Sequence, residues 1–229
     1  NAEDASMDVN GNLTSALQIN ASSSQGPTDD RRIKPDITGN GTDLLSTHST
    51  SNTATNTLSG TSMSSPNVAG TLLLLQQHYK NLTTNFMKAA TLKGLACHTA
   101  DDSGNVGPDA IFGWGLLNAK AAAQALSSNG LNALVSEESL NQSQTYTITV
   151  KSLGTSPLIA TACWTDVPGN PNNGQRDAND LTKALVNDLD VRITRNATTY
   201  YPWKLDLDPN NNATRVGDND IDNVEQVKI

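Results

Sequence analysis

The 229-residue chain is 36% hydrophobic, 17% charged and 4% aromatic, a balance that fits a folded protein rich in small polar residues and excludes a disordered or fibrous one. Its formal net charge of −8 argues against a nucleic-acid partner, because phosphate neutralisation needs clustered Lys and Arg, and the one basic cluster, Arg31, Arg32 and Lys34, is offset by Asp29, Asp30 and Asp36. The apolar run Leu72 to Leu75 is far short of the roughly 18 residues that span a bilayer, so no membrane segment is expected.

In chain order, the first element predicted is a helix over Ser65 to Lys80, with Pro66 in its first turn, where a missing N–H costs nothing. Thr84 to Ala96 reads as a second helix and Leu116 to Leu126, with its Ala-rich centre, as a third. Ser127, Ser128, Asn129 and Gly130 then form a turn-rich break suited to a linker. Beyond it helical periodicity disappears. Tyr146, Ile148 and Val150 alternate with Thr145, Thr147 and Thr149 at the strand period of two, and Leu158 to Trp164, Asp188 to Thr194 and Val224 to Ile229 are further strands. The expected organisation is an α/β unit over 1–126, then an antiparallel all-β sandwich over 131–229. Cys97 and Cys163 each lie in an apolar segment; two buried free thiols are expected, with a single bridge as the alternative.

The chemistry concentrates at Gly60-Thr61-Ser62-Met63-Ser64-Ser65-Pro66. A serine at a helix start has a free backbone N–H pointing off the N-terminus, so the amide donates to an oxyanion while the hydroxyl attacks. Local physics alone leaves open the plainer role of Ser62 or Ser64 as a helix cap.

The run from Gly60 to Pro66, followed by Asn67-Val68-Ala69-Gly70, resembles the nucleophile signature of the subtilases. Ser23-Ser24-Gln25-Gly26-Pro27 and Lys34-Pro35-Asp36-Ile37 resemble that family's approach to the serine, and Phe112-Gly113-Trp114-Gly115 leading into Leu117-Asn118-Ala119 resembles the end of its catalytic domain. The Thr38-Gly39-Asn40-Gly41 stretch departs from the family's usual Ala-Pro-Gly. The resemblance implies that Ser62 is the nucleophile of a secreted serine endopeptidase acting on protein or peptide substrates. Its N–H would be one oxyanion donor, Thr61 a supporting hydroxyl and Met63 a neighbour open to oxidation. It also implies a partial parallel sheet with helices over 1–126.

Subtilases order their triad Asp, His, Ser, and nothing among the 61 residues before Ser62 resembles the first two motifs or the oxyanion Asn. The general base is therefore expected from an upstream segment, and the isolated chain is expected to be inactive, as a fragment truncated at both ends that needs that segment or an oligomer to cover its sheet. His78, sixteen residues after Ser62 on one helix, is about 24 Å away at 1.5 Å per residue and is excluded as the base; His48 and His98 are expected in surface or hydrogen-bonding roles.

The second half resembles the β-sandwich appended to some subtilases, distantly similar to the convertase P-domain, through Cys163-Trp164-Thr165-Asp166, Leu185-Val186-Asn187-Asp188-Leu189-Asp190 and Asp222-Asn223-Val224-Glu225-Gln226-Val227. The resemblance implies a jelly-roll-like sandwich lacking its last strands. A non-catalytic binding or adhesion module is the alternative function. Asp188 and Asp190 would face one side of a strand about 7 Å apart, and Asp218, Asp220 and Asp222 repeat at every second residue without the Gly and Glu of an EF-hand loop. These five are the calcium candidates, the family's habit of binding structural calcium being the main reason to name the ion; no cofactor is expected for catalysis.

Overall fold

The computed structural model describes residues 2–3, 9, 17–169, 180–206, 208 and 210–229. Within them lie eight short strands and three helices: β1 (Ala2–Glu3), β2 (Gln18–Ile19), β3 (Leu44–Thr47), β4 (Thr55–Leu58), α1 (Thr61–Thr83), α2 (Ala89–His98), α3 (Ala119–Ser127), β5 (Ile159–Cys163), β6 (Ile193–Arg195), β7 (Thr198–Tyr200) and β8 (Val224–Lys228). The described strands pair as four antiparallel two-stranded ladders, β1 with β2, β3 with β4, β5 with β8 and β6 with β7.

The helices pack as a layer. Leu72, Leu75 and Tyr79 recur at helical spacing on α1 and meet Met87, Leu95 of α2, and Ala122 and Leu126 of α3. The α3 start is capped by Asn118, whose Oδ1 accepts from Ala121 N at 2.8 Å while its amide donates to the Asp101 carboxylate.

A second core joins the two halves of the sequence. Ile33, Cys97 and Trp114 pack with Trp203, Ala213 and Val224, with Cys163 against them. Both cysteines are free thiols and Cys97 is buried. Polar contacts reinforce the seam: Asp222 Oδ1 accepts from Ile33 N at 2.8 Å, and Oδ2 accepts from Asn219, which also donates to the Trp203 carbonyl.

Several elements differ from expectation. Helix α1 starts four residues earlier than predicted and runs three further, ending at Thr84 in the left-handed conformation; α2 starts at Ala89 rather than Thr84. Residues 145–150 alternate in polarity but form no strand and are exposed throughout, because a strand needs a neighbour to take its ladder bonds and none of the described residues supplies one. The predicted strand over Asp188 to Thr194 forms only from Ile193, and its partner is the local hairpin strand β7. Among the described residues no two strands run parallel; the parallel contacts are isolated bridges, Thr38 with Leu116 and Asn129 with Ala133. The described ladders of the second half do not close into a sandwich.

Candidate active site

Gly60 sets the start of α1. Its φ of 152° lies where an L side chain is strained and glycine is not. Its carbonyl accepts from both Met63 N (3.0 Å) and Ser64 N (3.2 Å), and its own N–H donates to the Gly41 carbonyl at 2.7 Å. The helix end is docked by Ser64, which is buried and donates Oγ to the Gly39 carbonyl at 2.7 Å. A Cβ on Gly39 would lie 2.4 Å from Val68 Cγ2, so only glycine lets the two segments approach this closely. Thr38 in turn donates N–H to the Gly115 carbonyl and accepts from Leu117 N. Ser64 is thus the serine that anchors the helix, leaving Ser62 unengaged by structure.

Ser62 is exposed in the first turn of α1. Neither its hydroxyl nor its N–H has a hydrogen-bond partner among the described residues. Pro66, four positions on, has no N–H for the Ser62 carbonyl. A 23-residue helix directs its positive end at this position, which favours negative charge developing beside Ser62. Thr61, the first helical residue, is also exposed.

All three histidines are held elsewhere. A ring nitrogen of His78 bonds Ser127 Oγ at 2.8 Å, His48 Nδ1 bonds Thr50 Oγ1 at 3.1 Å and His98 Nδ1 bonds Thr161 Oγ1 at 2.8 Å. Burial holds the His98 imidazole below its ordinary pKa. Among the described residues no base contacts Ser62.

The carboxylates of the second half gather around Arg192. Its Nη2 donates to Asp190 Oδ1 at 2.8 Å and Asp218 Oδ1 at 2.5 Å, and Lys183 pairs with Asp220. Asp188 and Asp190 lie in an irregular segment rather than a strand, and they meet a residue not singled out from the sequence, Glu225 of β8. The signal that could have found it is an acid inside the otherwise apolar pattern of Val224 and Val227. Asp222 leaves the acidic face: Asn219 Oδ1 accepts from Ile221 N and Asp222 N, a tight turn that directs the Asp222 carboxylate into the seam with Ile33. Burial pushes its pKa up to about 6, against the opposing hydrogen bonds from Asn219 and Ile33.

Similarity to known proteins covers part of the chain. Over 65 residues the chain is 43% identical to the neisserial autotransporter lipoprotein NalP of Neisseria meningitidis serogroup B, covering 28% of this chain and 6% of that protein. Over 66 residues it is 48% identical to the C5a peptidase of Streptococcus pyogenes, covering 29% of this chain and 6% of that protein. The matched part is thus a small fraction of each relative. The Subtilase family profile matches residues 6–115, a span that holds the whole run from Gly60 to Pro66. Over residues 6–115 this chain is similar to the subtilase family.

Proposed function

We propose that the chain is the nucleophile-bearing part of a secreted serine endopeptidase, with Ser62 attacking the scissile carbonyl to give an acyl-enzyme. The observation that carries the reading is the exposed Ser62 hydroxyl beside an unengaged N–H at the start of a long helix. In this reading the Ser62 N–H donates to the oxyanion and the Thr61 hydroxyl supports it. The His that takes the Ser62 proton, and the Asp that orients it, come from elsewhere in the parent protein, since His48, His78 and His98 are engaged at other positions. In this reading residues 1–126 form the catalytic portion and 131–229 an appended β-sandwich. The substrate is a protein or peptide. Extracellular residence is supported by the relatives' names, one an autotransporter lipoprotein.

A fluorophosphonate serine-hydrolase probe tests this. The folded 229-residue chain should show no adduct by intact mass, whereas the longer parent protein should be labelled at Ser62 by peptide mapping. Labelling of the isolated chain at Ser62 would refute the external base, and a parent protein labelled elsewhere, or nowhere, would refute the nucleophile.

A further inference from the structure

The stretch Thr38-Gly39-Asn40-Gly41, where the sequence departs from the usual Ala-Pro-Gly, holds the start of α1 through two main-chain carbonyls. That of Gly39 accepts from Ser64 Oγ and that of Gly41 accepts from Gly60 N, each at 2.7 Å. Asn40 lies between the two anchors and is exposed, whereas Gly39 and Gly41 are buried. The length of backbone at Asn40 therefore sets whether both bonds can be made at once.

An Asn-Gly pair carries both partners of a reaction. The glycine amide nitrogen can close a small ring on the asparagine Cγ, and with no Cβ on the glycine little shields that nitrogen. The contacts of Asn40 favour the attack. Its Oδ1 accepts from Thr42 N at 3.2 Å, an Asx turn whose ring includes the Gly41 nitrogen and which places an N–H donor on the oxygen where negative charge develops. Asn40 Nδ2, the leaving nitrogen, and Gly41 N, the attacking one, have no hydrogen bond among the described residues. The other described Asn-Gly pair, Asn129 and Gly130, is tied up. Asn129 is clamped to Val135, with Oδ1 accepting from its N–H at 2.8 Å and Nδ2 donating to its carbonyl at 3.3 Å, while Gly130 N donates to the Ala133 carbonyl at 2.8 Å. Both of its reacting nitrogens are engaged.

We propose that Asn40 is a modification site, which deamidates in the folded chain and thereby loosens the start of α1. Gly41 N attacks Asn40 Cγ; the N–Cγ bond forms, the Cγ–Nδ2 bond breaks, and Nδ2 leaves as ammonia with the proton given up by Gly41 N. Water then opens the resulting succinimide. Attack of water at Cγ restores the ordinary backbone, with aspartate at position 40. Attack at the main-chain carbonyl carbon leaves the chain running through Cβ and Cγ, an isoaspartate with an extra backbone carbon. Water is consumed and ammonia released, and no oxidant or reductant is needed. Aspartate keeps an acceptor for Thr42 N. Isoaspartate lengthens the chain between the Gly39 and Gly41 carbonyls, so Ser64 and Gly60 no longer both reach their acceptors. The helix that carries Ser62 thus has a chemical limit on the lifetime of its docking. The inference is independent of the protease reading.

The test incubates the folded 229-residue chain at pH 8 and 37 °C over days to weeks, with peptide mapping and isoaspartyl methyltransferase labelling at intervals. Conversion of amide to acid should appear at Asn40, as both aspartate and isoaspartate, at least tenfold faster than at Asn129; in urea, where both sets of contacts are gone, the two should react at similar rates. The aged chain should melt about 2 to 4 °C lower for each anchor lost, and methyltransferase repair of isoaspartate to aspartate should reverse the fall. Asn40→Asp, which adds the charge without the extra carbon, should melt within about 1 °C of the parent. Asn40→Gln, whose longer side chain closes its ring more slowly, should keep its melting temperature through the incubation. Conversion at Asn129 as fast as at Asn40 in the folded chain, no conversion at Asn40, or an Asn40→Asp variant that melts as low as the aged chain would each overturn the proposal.

Discussion

Replacing Asp222 by Asn isolates the acid at the seam between the two halves. The folded Asp222 carboxyl keeps its proton up to about pH 6, whereas an unfolded Asp releases it near 3.8. Because the folded pKa is raised, the contribution to stability is fully present below about pH 3.8 and is lost as pH rises through about 6. The gap between those values corresponds to about 3 kcal/mol. Asn has no such titration but keeps an oxygen for Ile33 N, at the cost of opposing its amide to the Asn219 amide that now donates to Oδ2. That loss is about 1 kcal/mol and independent of pH. Urea unfolding of both proteins at intervals from pH 4 to pH 7 gives the difference in stability, in which every other carboxylate cancels. The variant should be the less stable at pH 4 and gain on the parent by about 2 kcal/mol on reaching pH 7, the rest of the change lying below pH 4. A difference that stays flat across that range would refute the argument that burial, rather than the Asn219 and Ile33 hydrogen bonds, governs this acid.

Gly94→Ala should destabilise although alanine is the better helix former by about 1 kcal/mol, because the new Cβ would lie 2.8 Å from Cys163 Cβ; a net loss of about 1 to 3 kcal/mol in thermal melts is expected as β5 shifts away from α2, and a gain would show that the α2–β5 contact is looser than described. Burial pushes the Cys97 thiol up to about 12 and the Cys163 thiol up to about 11, so iodoacetamide at pH 8 should modify neither in the native protein and both in urea, with rapid native labelling of Cys97 as the contrary result.

The turn and helix around Ser62 were legible because their requirements are local. Gly60, the small residues around Ser62 and the helix formers after them specify the turn and the helix within one short stretch. The start of α1 was misjudged through Pro66: a proline suits a first turn, yet the Gly60 conformation begins the helix five residues before Pro66, which then costs the Ser62 carbonyl its partner. The order and number of helices were legible from apolar spacing, but the strands of the second half were not, since the alternation over 145–150 says which face would be apolar and nothing about which neighbour is there. The acidic face failed for the same reason. Period-two spacing grouped Asp222 with Asp218 and Asp220, while the Asn219 turn directs it inward, and Glu225 is brought to Asp188 and Asp190 by packing across more than thirty positions that no local pattern records.

The seam around Ile33 has a consequence for how the chain is made. The hydrogen bond from Ile33 N to Asp222 spans 189 positions, and the apolar cluster beside it draws on Trp203, Ala213 and Val224. During vectorial synthesis the segment that buttresses Ser64 and helix α1 therefore waits for β8, and Ile33, Cys97 and Trp114 stay wet until the ribosome has released residue 224 and beyond. Contacts of such high order are slow to close, because loop entropy is spent before they return any stability. The interval leaves the early half exposed to chaperones and proteases, and the serine at its helix tip gains its settled surroundings only when β8 has docked.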